Sequence, residues 1–294
     1  MKIHNFLPLL LDVLRRWEKK PSRSKFYKEY FTPIINIVDI SFDFYKDDLY
    51  DIIESLDWRI YRNDTLSLNP VQEEARLKKH VKDVESLFGF PLQGEVILFG
   101  AFGLMDGYAR FDQGSHRVYL GVDEGFGRDP YLDVLISHEL CHVARESRKE
   151  VWEGWGINPQ MTHDDFVDKQ PVIEHIIGEG FSCAVSELLV PGLDPWHYSY
   201  QTQDSLKGIL DHSELLDQLI HQEIMNPEGD FTHLYGLRRY NKNLSAFCHY
   251  VWAWQWAKQI LKDKADSDPK KLVTLCSKDL LDHALNFKMS KQLI

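Results

Sequence analysis

Residues 138–142 read His-Glu-Leu-Cys-His, and this H-E-x-x-H spacing constrains the fold before any other feature does. Two imidazoles four positions apart can reach one ion only where the backbone is helical, because residues i and i+4 then lie one turn apart on the same face. Glu139 is offset around such a helix. It is near enough to take a proton from a water between the histidines and need not bind the metal itself. The flanking residues favour a helix: Asp129 can cap free amides, Pro130 suits the first helical position, and Leu132, Leu135, Ile136, Leu140 and Val143 recur at helical spacing. The alternative is a half-buried helix whose histidines bond to neighbouring carboxylates.

A catalytic zinc site usually has three protein ligands and keeps a fourth position open. Extension to H-E-x-x-H-x-x-G-x-x-H is excluded, since Arg145 stands at the glycine position and Arg148 at that of the third histidine. Glu146 shares the helix face, but side chains from three successive turns lie along a line and do not easily converge on one ion. Glu179 is the best candidate. It sits in a stretch from 171 to 190 where Ile173, Ile176, Ile177, Phe181, Ala184, Val185, Leu188 and Leu189 make a broad apolar surface, stopped by Pro191-Gly192. A carboxylate in such a helix is costly unless it is paired, hydrogen-bonded or bound to a metal. Gly178 and Gly180 flank it, and glycines inside a helix weaken it unless another backbone must come close; the motif helix is the expected neighbour. The alternative pairs Glu179 with Arg145 or Arg148. His175, one turn before Glu179, is expected to contact the metal shell or orient Glu179. His163 and Asp164, in a loop-like region after Trp152, are further possible ligands.

Together, His138-Glu139-Leu140-Cys141-His142 and Gly178-Glu179-Gly180-Phe181-Ser182 resemble the gluzincin-type zinc metallopeptidases, and are similar to the predicted zinc-dependent proteases of that clan. The resemblance covers roughly residues 95 to 190. It implies a Zn2+ ion held by His138, His142 and Glu179, Glu139 as general base, a peptide or protein substrate, and a zincin-like order in which strands precede the motif helix. Cys183 stands one turn after the third ligand, where an aspartate often supports a histidine in such enzymes. Hydrolysis also wants a tyrosine or histidine to steady the developing oxyanion. Tyr250 and Tyr240 are the candidates, with Tyr235 and His249 nearby. The competing reading is a non-enzymatic, peptidase-like binding or regulatory protein, against which the presence of Glu139 argues.

The fold expected is α+β and mainly helical, with a small mixed or antiparallel sheet before the motif helix. Residues 1–92 read as a helical N-terminal region, 93–200 as the metal-site core, and 201–294 as a helical C-terminal region joined to that core. Strands are expected at 96–99, 107–111 and 117–122. The third alternates as if half-exposed, and 118–122 is the candidate edge for an extended peptide; an internal strand is the alternative. Helices are expected from Asn69-Pro70 to Gly89, and over 206–224, 244–261 and 280–287, with Trp252, Trp254 and Trp256 as core. A net charge of -11 over 294 residues disfavours general binding to nucleic acid or acidic membranes. No stretch reaches the eighteen or so apolar residues of a membrane span. The apolar run near the N-terminus is broken by Pro8 and Asp12 and reads as an amphipathic helix. The expectation is therefore a cytoplasmic protein whose four cysteines are reduced.

Overall fold

The computed structural model describes residues 1–43, 49–103, 105–112, 114–121, 130–158, 160, 169–226, 234, 239, 241–263 and 268–291. The chain is α+β and mainly helical, built on a mixed four-stranded sheet. Its strands are β1 (Lys2–Asn5), β2 (Glu95–Phe99), β3 (Gly107–Asp112) and β4 (Ser115–Gly121) in the order β1-β2-β4-β3. β1, β2 and β4 run parallel, with Ile3 opposite Val96 and Val96 opposite Val118. β3 runs antiparallel to β4, with Ala109 opposite Val118. β4 is therefore internal, not the edge that its alternating sequence suggests. Both its faces are covered, and Arg117 is buried because Glu95 on β2 meets its guanidinium at 3.0 Å. Among the described residues the edge beside the motif helix belongs to β3.

Helices cover both faces of the sheet. Before β2 come α1 (Leu7–Arg16), α2 (Arg23–Phe26), a π-helical turn (Tyr27–Phe31), α3 (Thr32–Asp43), α4 (Leu49–Ser55), α5 (Trp58–Leu66) and α6 (Pro70–Phe88). After β4 follow α7 (Tyr131–Glu146), α8 (Lys149–Glu153), α9 (Val172–Leu189), α10 (Pro195–Tyr198), α11 (Gln203–Asp211), α12 (Ser213–Met225) and α13 (Cys248–Asp263). The chain closes with α14 (Pro269–Leu272), a 3-10 turn (Ser277–Leu280) and α15 (Leu281–Asn286). Strand alternation divides the core. Val96, Leu98, Val118 and Leu120 pack with α6, α7, α9 and α13, whereas Ile97, Phe99 and Tyr119 pack with α1 and α5 on the other face.

Local chemistry sets several helix ends. Asn69 accepts from the amides of Val71 and Gln72, Pro70 opens α6, and Gly89 ends it at φ 73°. α7 begins at Tyr131, so Pro130 precedes the first helical residue; Asp129 lies outside the described residues. The helix expected over 206–224 is broken at His212 into α11 and α12. On α13, Trp252, Trp254 and Trp256 are all buried, and the indoles of Trp252 and Trp254 donate to Asp217 and Glu187 at 2.8 Å. All four cysteines are buried and unbridged. Among the described residues no helix is long and apolar enough to cross a membrane.

Candidate metal centre

α7 carries the motif, and it is packed between the sheet and α9. At its centre His138 Nε2 lies 3.0 Å from Glu179 Oε2 and 3.1 Å from His142 Nε2, and His142 Nε2 lies 3.4 Å from the same carboxylate oxygen. Among the described residues these three form the one cluster whose donor atoms could hold a metal ion. Tetrahedral zinc with bonds of roughly 2.0–2.1 Å to nitrogen and oxygen separates its ligand atoms by about 3.3 Å, so the observed triangle is the right size. Two imidazoles and one carboxylate also match the donor chemistry of a three-ligand zinc site.

The surrounding groups orient the ligands. Glu146 Oε1 lies 3.4 Å from His142 Nδ1, leaving Nε2 to face the cluster. Cys183 Sγ, 3.9 Å from His138 Nδ1, occupies the corresponding place behind the other imidazole. Burial opposes ionisation of Glu179, yet the two imidazoles hold its carboxyl well below the usual range. Burial likewise opposes charging of His142, but Glu179 and Glu146 raise it well above an ordinary histidine. A cation bound between the donor atoms would balance the Glu179 carboxylate with both imidazoles neutral. Glu139 is buried beside the cluster, and desolvation raises its carboxyl to about 8.

Among the described residues Glu179 does not pair with an arginine. Arg145 is committed to Glu174 through two hydrogen bonds of 2.7 and 2.8 Å, joining α7 to α9, while Arg148 lies over the Phe90 ring. Gly180 differs from expectation in its neighbour. A side chain at Gly180 would meet the carbonyl oxygen of Ala253 at 2.4 Å, so the close approach is to α13 and not to the motif helix. At Gly178 the nearest atoms belong to the His142 ring at 3.9 Å, which is ordinary contact. His175 is not one of the three ligands. It lines the same cavity, its ring 5.6 Å from that of His249, and burial pushes its imidazole down.

The cluster opens into a cavity of about 910 Å³ lined by Asp106, Tyr108, Glu139, Tyr200, Phe247 and Tyr250, among others. Tyr250, expected from sequence, is there: its ring stacks on that of His138 at 6.0 Å. Tyr240, Tyr235, His163 and Asp164 lie outside the described residues. Tyr200 lines the same cavity. Its ring stands edge-on to His138 at 5.0 Å, and its buried hydroxyl has no hydrogen-bond partner among the described residues. Its backbone sits at φ 54°, in the left-handed region that a bulky residue rarely adopts. No spacing marks Tyr200 in the sequence, because that turn after α10 is what brings it to α7. Comparison with known proteins finds no matching family model, no matching curated protein and no matching solved structure.

Proposed function

We propose that this protein is a zinc metallopeptidase of gluzincin type, acting on peptide or protein substrates in the cytoplasm. What carries the reading is the convergence of His138, His142 and Glu179 from two helices, with Glu139 buried alongside and a cavity in front. Zinc, when bound, would acidify a water, polarise the scissile carbonyl and draw the Glu139 carboxyl back towards ionisation. Glu139 takes the proton of the attacking water and delivers it to the leaving amine. Tyr200 donates its hydroxyl to the developing oxyanion. Its buried hydroxyl has no hydrogen-bond partner among the described residues and is open to such a contact. Glu146 and Cys183 hold the two imidazoles in orientation, and Arg145 with Glu174 fixes one ligand helix against the other. The edge of β3 offers main-chain hydrogen bonds to an extended peptide, the part that residues 118–122 are expected to play from sequence.

Glu139→Gln tests the assignment. The variant should retain zinc and lose hydrolysis of a mixed-sequence fluorogenic peptide library by roughly 10²-fold or more. Undiminished activity would remove Glu139 as the base. A parent protein that binds zinc and cleaves nothing in the library would favour the non-enzymatic binding or regulatory role instead.

A further inference from the structure

The acids lining the cavity divide by their partners. Glu174 takes Arg145, Glu146 faces His142, and Glu179 holds both motif histidines. Glu139 is the base in the reading above. Asp106 is left over. Its carboxylate accepts one hydrogen bond, from the Tyr131 hydroxyl at 2.9 Å, and forms no ion pair among the described residues. Burial without a cation raises it to about 6.

Its place in the fold gives this carboxylate a use. Asp106 immediately precedes β3, the edge strand, and β3 starts hard against the motif helix: a side chain at Gly107 would come within 3.3 Å of Leu135, one turn before Glu139. A peptide laid along β3 would therefore bring its reacting bond to the end where Asp106 and Glu139 line the same cavity. The rest of this wall is neutral, with Tyr108, Tyr131 and Tyr200 presenting aromatic surface.

We propose that Asp106 pairs with an ammonium group carried by the substrate residue flanking the scissile bond, either the α-amino group of a chain end or the side chain of a lysine. A carboxylate in a partly dry cavity is stabilised by a charge-assisted hydrogen bond from such a donor. A lysine stem would also lie along the aromatic wall. The net charge of -11 favours the approach of cationic peptides. The inference rests on the hydrolytic reading for the position of the bond, but the pairing can be measured without turnover.

Two peptide pairs serve as probes: Ala-Phe-Ala-Ala with a free or acetylated N-terminus, and acetyl-Ala-Lys-Phe-Ala amide with its norleucine counterpart. Binding is read by calorimetry on zinc-loaded Glu139→Gln protein, and hydrolysis on protein with Glu139 intact. The ammonium-bearing member of at least one pair should bind about tenfold or more tightly, as a charge-assisted hydrogen bond requires. The pair that discriminates identifies the source of the ammonium. Adding Asp106→Asn, which keeps the shape and still accepts from Tyr131, should bring that ratio to within about twofold of unity. A ratio near unity before Asp106 is changed overturns the inference without recourse to any Asp106 variant, and a ratio that survives Asp106→Asn overturns it as well. In both cases peptide hydrolysis would stand. Absence of hydrolysis with the binding ratio intact would instead overturn the hydrolytic reading and leave the role of Asp106 in place.

Discussion

The two glycines beside Glu179 should respond oppositely to alanine. At Gly180 a new methyl group would lie 2.4 Å from the carbonyl oxygen of Ala253, 2.7 Å from its carbon and 2.9 Å from its Cβ. Ordinary carbon contacts are about 3.5–4.0 Å, so α13 would have to retreat by roughly 1 Å. Overpacking of this kind costs about 1–3 kcal/mol. At Gly178 the methyl would meet only the His142 ring at 3.9 Å. Both substitutions gain about 1 kcal/mol of helix propensity, and that gain cancels in the comparison. Because the obstacle at Gly180 is backbone, the difference should fall in the upper half of the range, about 2–3 kcal/mol. For a chain of this size that corresponds to a Tm for Gly180→Ala roughly 4–10 °C below that of Gly178→Ala by scanning calorimetry. Tyr250 lies one turn before Ala253 on the displaced helix and stacks on the ligand ring of His138. Gly180→Ala should therefore also weaken zinc in a chelator competition, while Gly178→Ala should not. Equal melting temperatures and equal zinc affinities would refute the claim that this one close approach sets the spacing of α9 and α13.

Two further outcomes follow from buried charge. Arg145→Met leaves the Glu174 carboxylate buried without its cation and should cost about 3–5 kcal/mol in urea unfolding; a loss below about 1 kcal/mol would contradict the clamp between α7 and α9. His116 is buried with its ring against Phe111, and burial pushes its imidazole down to about 4. The folded chain thus holds this group neutral, so protonation favours unfolding and stability falls as pH drops from about 6.5 towards 4. Wild type should lose roughly 2–3 kcal/mol more than His116→Gln between pH 7 and pH 4.5, and equal losses would refute the assignment.

Much of the centre is legible in the sequence because it violates local rules. Two histidines one turn apart, and an acid flanked by glycines inside an apolar helix, are costly unless something joins them, and the three side chains do meet. What is not legible depends on contacts that no local pattern encodes. β1 is four residues, too short to show a period, and it becomes a strand because β2 pairs with it. β4 alternates like a half-exposed strand, but its polar residue Arg117 is satisfied by Glu95 on the neighbouring strand, which lets an internal strand carry the same pattern. The glycines announce a close approach, yet the helix packed against Gly180 is α13, a partner only tertiary structure can name. Tyr200 reaches His138 through a single left-handed residue, its own. Asp106 lies well before the motif in sequence and joins the cavity only because β3 starts beside α7.

The central claim is that His138, His142 and Glu179 form one three-ligand zinc site, and elemental analysis tests it most directly. Protein purified without chelators, then dialysed against buffer with one equivalent of zinc, should carry about one zinc per chain, and Glu179→Ala should carry far less while keeping its far-ultraviolet circular dichroism. X-ray absorption on the loaded protein should report nitrogen and oxygen neighbours at roughly 2.0–2.2 Å and no sulfur. Less than about 0.1 zinc per chain in the wild type, or full occupancy in Glu179→Ala, would contradict the account.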